Sequence, residues 1–240
     1  MIKGLMIQGA KAMGIAMTEA QAEQFAAYHA LLIEGNKRMN LTRIPVDDPQ
    51  ETVARNYLDS IAPLVQGDLL TGAKSLIDVG AGAGFPGIPL AILCPHIHVT
   101  LLDALKKRVG FLNDVIAQLG LNAIAIHMRA EDAGHDPAHR ERYDIATARA
   151  VAALPVLSEY CLPMIRIGGT FIAYKGPTLQ DELEASSRAL RALGGGRTRI
   201  FDVVIPDRPD WSHKLLFVDK AARTMNVYPR KPAEIEKRPL

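Results

Sequence analysis

Two cysteines, one tryptophan and an almost balanced charge leave few routes to function for this 240-residue chain. Cys94 and Cys161 lack metal-like spacing and lie in apolar segments, so they read as free thiols of a reducing, cytosolic compartment. Aromatic residues make up only 5%, which argues against extensive base stacking. The net charge of +2 excludes a polybasic binder, so any nucleic-acid contact must come from local clusters. No apolar run is long enough to span a membrane, and Met1 to Lys11 has no signal-peptide pattern; a cytoplasmic protein without a membrane partner is expected. His135 and His139 have a spacing that could bind metal on a helix, but Pro137 between them disfavours one. No metal is therefore expected, and no Cys–His or Ser–His pairing suggests a nucleophile.

What the chain does have is glycine in one place. Asp78-Val79-Gly80-Ala81-Gly82-Ala83-Gly84-Phe85-Pro86-Gly87 follows the short apolar run Ser75-Leu76-Ile77, where a strand would turn into a helix. Without a Cβ, backbone can approach a bound cofactor closely. A dinucleotide fingerprint, G-x-G-x-x-G, can be read at Gly82, Gly84 and Gly87. A methyl-donor loop, acid-x-G-x-G-x-G, can be read at Asp78, Gly80, Gly82 and Gly84, and the same residues serve both.

The rest of the chain supplies context. Thr18-Glu19-Ala20-Gln21 is a capping box, followed by apolar residues at helical spacing up to a natural stop at Gly35. A second helix is predicted from Gln50 to Leu64, making residues 1–70 a helical extension. From Lys74 strands and helices alternate. Strands are predicted at Ser75–Val79, His98–Leu102, Ala123–Met128, Asp144–Ala148 and Thr170–Tyr174. Helices are predicted at about Ile88–Leu93, Ala104–Leu119, Leu154–Ile167 and Leu179–Leu193. This pattern predicts an α/β fold with a mostly parallel sheet and helices on both faces. Two further strands, Arg199–Ile205 and Leu215–Asp219, have no helix between them and are most simply an antiparallel hairpin, unlike the two symmetric halves of a dinucleotide fold. Residues 71–220 would form the cofactor-binding unit. The tail 221–240, kept extended by prolines, would form a basic arm.

In open α/β sheets, ligands bind outside the carboxyl ends of the strands. The first strand ends at the glycine loop. The second ends at Asp103, whose carboxylate can hold two ribose hydroxyls or cap the helix that follows. The third ends near Ala130-Glu131, where an acid can reach an adenine amino group. The fourth ends at Arg149, without an obvious local acid, which makes it a candidate for the floor of the site; the alternative is an ion pair with Asp103 or Glu131. The fifth ends at Lys175.

These residues carry a resemblance. The glycine loop continuing through Phe85-Pro86-Gly87-Ile88-Pro89-Leu90, Leu101-Leu102-Asp103 followed by Lys107-Arg108, Arg129-Ala130-Glu131, Arg149-Ala150 and Tyr174-Lys175-Gly176 together resemble the glucose-inhibited division protein B family. Asn40-Leu41-Thr42, Leu58-Asp59-Ser60 and Tyr228-Pro229-Arg230-Lys231-Pro232 match as well. That family comprises the bacterial 16S (small-subunit) ribosomal RNA guanine-N7 methyltransferases G. The resemblance implies a class I methyltransferase (Rossmann-like) fold and S-adenosylmethionine as cofactor. It implies that Gly80, Gly82, Gly84 and Phe85 line its methionine and ribose side, Asp103 the ribose, Ala130 and Glu131 the adenine, and that Arg149 lies beside it near the target base. It further implies ribosomal RNA, within a ribonucleoprotein, as partner, with Lys37, Arg38, Arg43, Arg55, Lys175, Arg230 and Lys231 as candidate phosphate contacts. The family usually has histidine where this chain has Asn56. Competing readings are a methyltransferase acting on a small molecule, an NAD-linked oxidoreductase and a non-catalytic regulator of cell division.

Overall fold

The computed structural model describes residues 1–42, 46–67 and 69–240. Its centre is a seven-stranded sheet. The strands are β1 (Ser75–Val79), β2 (His98–Asp103), β3 (Ala123–His127), β4 (Tyr143–Arg149), β5 (Ile165–Lys175), β6 (Gly195–Asp202) and β7 (Lys214–Lys220). Their spatial order is β3-β2-β1-β4-β5-β7-β6. The first five are parallel, and β7 runs antiparallel to both β5 and β6. The order reverses between β1 and β4, each of which needs a crossover to reach its next neighbour. This is the position where open α/β sheets leave a crevice.

β1 shows why these runs become central strands. Leu76, Ile77 and Val79 are all buried, as a strand covered on both faces requires. Successive side chains point to opposite faces, so Leu76 enters one core and Ile77 the other. The Leu76 core also takes Ile2, Phe25, Tyr28 and Tyr57, so the first 70 residues share their packing with the sheet. The Ile77 core takes Leu154, Leu157, Leu190 and Ile235.

Several elements differ from the sequence reading. A first helix, Ile2–Ala12, was not expected. The capping box at Thr18 is present, with its hydroxyl oxygen accepting from Gln21 N at 3.2 Å and Gln21 Oε1 accepting from Thr18 N at 2.9 Å. That helix passes through Gly35 and runs Glu19–Met39, ending on Asn40 in the left-handed region. Gly35 is instead a packing glycine, since a Cβ there would lie 2.7 Å from Leu41 and Phe111 carbons. The expected helix from Gln50 to Leu64 breaks into a turn of α-helix (Pro49–Thr52), a π-helical stretch (Val53–Leu58), another short α turn (Asp59–Ile61) and a 3-10 turn (Ala62–Val65). Helix Leu154–Cys161 stops early, a 3-10 turn (Leu162–Met164) follows, and β5 takes up Ile165 and is eleven residues long. The expected helix Leu179–Leu193 is interrupted at Ser186, whose hydroxyl donates back to Glu182 O at 2.6 Å. The tail is not extended: Pro232–Lys237 is helical and Ile235 is fully buried.

Candidate cofactor and substrate cleft

The glycine loop leaves β1 at the sheet's reversal point, and its three alternating glycines have different local surroundings. Gly80, Gly82 and Gly84 all have positive φ, a region L-residues avoid. A Cβ on Gly82 would meet only Gly80 O, at 3.8 Å, so this glycine opens onto free space. A Cβ on Gly80 would strike Val151 at 2.8 Å, and one on Gly84 would strike Ile88 at 2.5 Å and the Tyr28 hydroxyl at 2.9 Å. Gly87 serves packing as well, because a Cβ there would lie 2.2 Å from Leu101. Beneath the loop, buried Asp78 accepts from Gly87 N at 2.9 Å and from the Thr147 hydroxyl at 3.0 Å. Burial pushes its carboxyl up to about 7. From above, Tyr28 of helix Glu19–Met39 donates its hydroxyl to Ala83 O at 2.6 Å.

Asp103, at the end of β2, stands opposite the loop. Its Oδ2 accepts from Gly82 N at 2.9 Å and its Oδ1 from Leu105 N at 2.8 Å. It therefore holds the loop and the start of the next helix together, and Arg108 lies 3.6 Å from it. Ala130 and Glu131 begin the short helix after β3, with Glu131 accepting from Arg129 at 3.0 Å. A cavity of about 150 Å³ joins Gly80, Asp103, Ala130 and Glu131, with Tyr160 and Val151 as further walls.

Arg149 ends β4, and its partner comes from far along the chain. Its Nη1 donates at 3.0 Å to Oδ2 of fully buried Asp59 and at 3.0 Å to Arg55 O. Its ion pair is thus with the N-terminal extension, and not with Asp103 or Glu131, the alternative to a place on the floor of the site. The guanidinium also lies 5.0 Å above the Phe85 ring. The other oxygen of Asp59 accepts from Trp211 Nε1 at 3.3 Å and His213 Nδ1 at 2.9 Å, both from the segment joining β6 to β7. Around this centre lies a cavity of about 520 Å³, lined among others by Gly80, Gly82, Phe85, Arg108, Arg149 and Trp211. It adjoins a smaller one of about 220 Å³ reaching Tyr174 and Lys175, sharing Arg149, Ala150 and His213 with it. The three cavities form one cleft along the strand ends. A hollow of about 490 Å³ between the first helix and Pro206–Arg208 lies apart from these residues.

The structure thus brings Gly80, Gly82, Phe85, Asp103, Ala130, Glu131 and Arg149 to one cleft, while Gly84 faces inward. Among the basic candidates, Arg55 and Lys175 reach its rim. Arg55 pairs with Glu51 at 2.6 Å and stacks over Trp211, whereas Lys175 is largely buried and pairs with Glu182 at 2.6 Å. Lys37 and Arg38 are exposed on the last turn of their helix, beside Glu34. Arg43 lies outside the described residues. Lys231 is exposed, and Arg230 is bound to buried Glu159 at 2.7 Å, away from the rim. Asn56 is buried in the π-helical stretch, with neither side-chain amide atom hydrogen-bonded among the described residues. Asp59, Arg108, Tyr160, Trp211 and His213 were missed as site residues. The matching Leu58-Asp59-Ser60 and Lys107-Arg108 elements were the signals for Asp59 and Arg108.

Among the described residues, no helix is long and apolar enough to cross a membrane, and no group of three or more His, Cys, Asp or Glu side chains is placed to hold a metal. His135 and His139 are engaged instead with Pro229 O and the Tyr143 hydroxyl.

Comparison with known proteins agrees with this geometry. In fold, the chain is similar to the O-methyltransferase from Bacillus cereus in complex with SAH (TM-score 0.55, 16% identity, 81% of this chain and 91% of that one). It is likewise similar to cofactor-bound Rv0187 from MTB (TM-score 0.56, 18% identity, 83% and 91%). In sequence it is 46% identical over 237 residues to the ribosomal RNA small subunit methyltransferase G of Clostridium botulinum strain Alaska E43, covering 98% of each chain. It is 44% identical over 229 residues to that of Lactobacillus johnsonii, covering 95% of each. The family model for the rRNA small subunit methyltransferase G matches residues 21–208. The chain belongs to the GidB family, that of the rRNA small subunit methyltransferase G.

Proposed function

We propose that this protein transfers a methyl group from S-adenosylmethionine to N7 of a guanine in small-subunit ribosomal RNA, in a cytoplasmic ribonucleoprotein particle. The carrying observation is the open face of Gly82 beside Asp103, at the point where the strand order reverses. A side chain at Gly82 would fill that cradle. Each Asp103 oxygen already accepts one backbone N–H and keeps lone-pair capacity for a ribose hydroxyl. The residues fit the cofactor. Gly80, Gly82 and Phe85 would hold its methionine side, Asp103 the ribose, and Ala130 with Glu131 the adenine; Gly84 would shape the loop from within.

When bound, S-adenosylmethionine supplies a methyl group already activated by the positive sulfonium. Guanine N7 carries a free lone pair at neutral pH, so the protein needs no general base. Its task is to align the reacting atoms and exclude water. Arg149 would orient the target base at the wide end of the cleft, held in place by Asp59 and Phe85. Lys37, Arg38, Arg43, Arg55, Lys175 and Lys231 would engage RNA phosphates, making affinity fall with salt. In this reading residues 1–70 wall the substrate side, residues 71–220 hold the cofactor, and residues 221–240 close the opposite end.

Titration calorimetry should show binding of S-adenosylmethionine and none of NAD; NAD binding alone would overturn the cofactor assignment. Mass spectrometry of small-subunit RNA from a deletion strain should show one guanine-N7 methyl group missing. Unchanged methylation there, with intact cofactor binding, would point to a small-molecule substrate instead.

A further inference from the structure

The basic tail has a structural use that its charge conceals. Residues Tyr228-Pro229-Arg230 lie between the two elements that supply the cofactor cavity's far walls: the short helix Ala130–Ala133, which carries Glu131, and helix Leu154–Cys161, which carries Tyr160. Toward the first, Gly134 lacks the Cβ that would come within 2.6 Å of the Pro229 ring. His135 Nε2 meets Pro229 O at 2.6 Å. Arg140 spans Gly134 O at 2.6 Å, Tyr228 O at 2.8 Å and Thr224 O at 2.7 Å. Toward the second, Arg230 clasps Glu159, the residue before Tyr160. Its Nε and Nη2 reach the two carboxylate oxygens at 2.9 and 2.7 Å, and its backbone N donates at 2.8 Å. Glu159 is fully buried, so this planar two-bond pairing is the fixed, desolvated kind that arginine makes and lysine cannot.

We infer that Arg230 is a positioning residue for the cofactor: through Glu159 and Pro229 the tail sets the separation of Tyr160 from Glu131 and so the width of the nucleoside end of the cleft. The inference rests on reading that cleft as the S-adenosylmethionine site. Arg230 itself touches neither cofactor nor reacting atoms. An arm that served to grip RNA would leave its guanidinium exposed; here it is four-fifths covered and spent on an internal carboxylate.

The test uses the full chain with S-adenosylhomocysteine and small-subunit ribosomal RNA as probes. Arg230→Ala should weaken S-adenosylhomocysteine binding in calorimetry by roughly tenfold or more, because small displacements of a preorganised wall cost that much. It should raise the KM for S-adenosylmethionine with little change in kcat, and leave RNA retention at a given salt unchanged. Arg230→Lys should recover only part of the loss. Because Arg230→Ala strands a buried carboxylate and can unfold the chain, Gly134→Ala provides an independent route. Gly134 has helical φ (−65°), and the added Cβ would clash with the Pro229 ring at 2.6 Å while meeting Ala130 O at an ordinary 3.4 Å, so the same loss of affinity is expected. Folded variants whose S-adenosylhomocysteine affinity stays within about twofold of wild type overturn the inference. So does Arg230→Ala losing RNA affinity alone, which would make the tail an RNA arm. Failure of the wild type to bind S-adenosylhomocysteine would instead overturn the cofactor assignment beneath it.

Discussion

Asp78→Asn should make this protein more stable at alkaline pH, although it removes a charge from its most distinctive motif. Asp78 is fully buried, and among the described residues its two hydrogen bonds come from Gly87 N and the Thr147 hydroxyl, both neutral. Burial therefore outweighs those bonds and raises its carboxyl from 3.8 to about 7. A folded value above the unfolded one means that the native chain holds this proton more tightly. Its stabilising contribution is fully present below pH 3.8 and is lost as pH rises through about 7. Three units of difference correspond to about 4 kcal/mol across that window. Asparagine keeps the shape: its carbonyl can accept from Gly87, and its amide can donate to the Thr147 hydroxyl, which is also an acceptor. Urea unfolding of both proteins from pH 4 to 8 should show the variant gaining on wild type by about 4 kcal/mol toward the alkaline end. Parallel stability–pH profiles would show that Asp78 is ionised throughout, and would refute the reasoning from burial.

Other changes separate packing from recognition. Gly82→Ala places a methyl group in the open cradle at φ +60°; it should cost about 1 kcal/mol of stability and weaken S-adenosylhomocysteine binding by tenfold or more in calorimetry. Gly87→Ala forces a Cβ to 2.2 Å from Leu101 and should instead cost about 1–3 kcal/mol in urea unfolding, as overpacking does. Among the described residues, Arg149→Ala leaves buried Asp59 with Trp211 and His213 as its side-chain partners, so a loss of about 3 kcal/mol, or roughly 6–12 °C in Tm, should accompany a collapse in methyl transfer. Wild-type turnover in that variant would remove Arg149 from the site. Ala150 holds φ +56° at the cleft, and Ala150→Gly should raise stability by about 1 kcal/mol in thermal unfolding.

The strand–helix alternation, the sheet's parallel body and the antiparallel hairpin were all readable from the sequence, because hydrophobic period and turn residues are local signals. The same signals, combined with the rule that ligands lie at the carboxyl ends of strands, picked out the glycine loop, Asp103, Glu131 and Arg149. Local pattern did not distinguish Gly82, which opens the cradle, from Gly84, which packs inward; the direction each missing Cβ would take depends on neighbours such as Tyr28, 55 residues from the Ala83 carbonyl it binds. Nor did it reveal the acid that holds Arg149. Asp59 precedes it by 90 residues and becomes its partner because the N-terminal extension packs over the sheet and excludes water from both groups. The basic tail shows the same division. Its composition marked it as an RNA arm, whereas burial of Glu159 drew Arg230 into the fold. Periodicity determines which elements form and where the chain can turn. Which charges are spent on one another is decided only when packing removes them from solvent, because the attraction between two ions depends on the medium around them as much as on their separation.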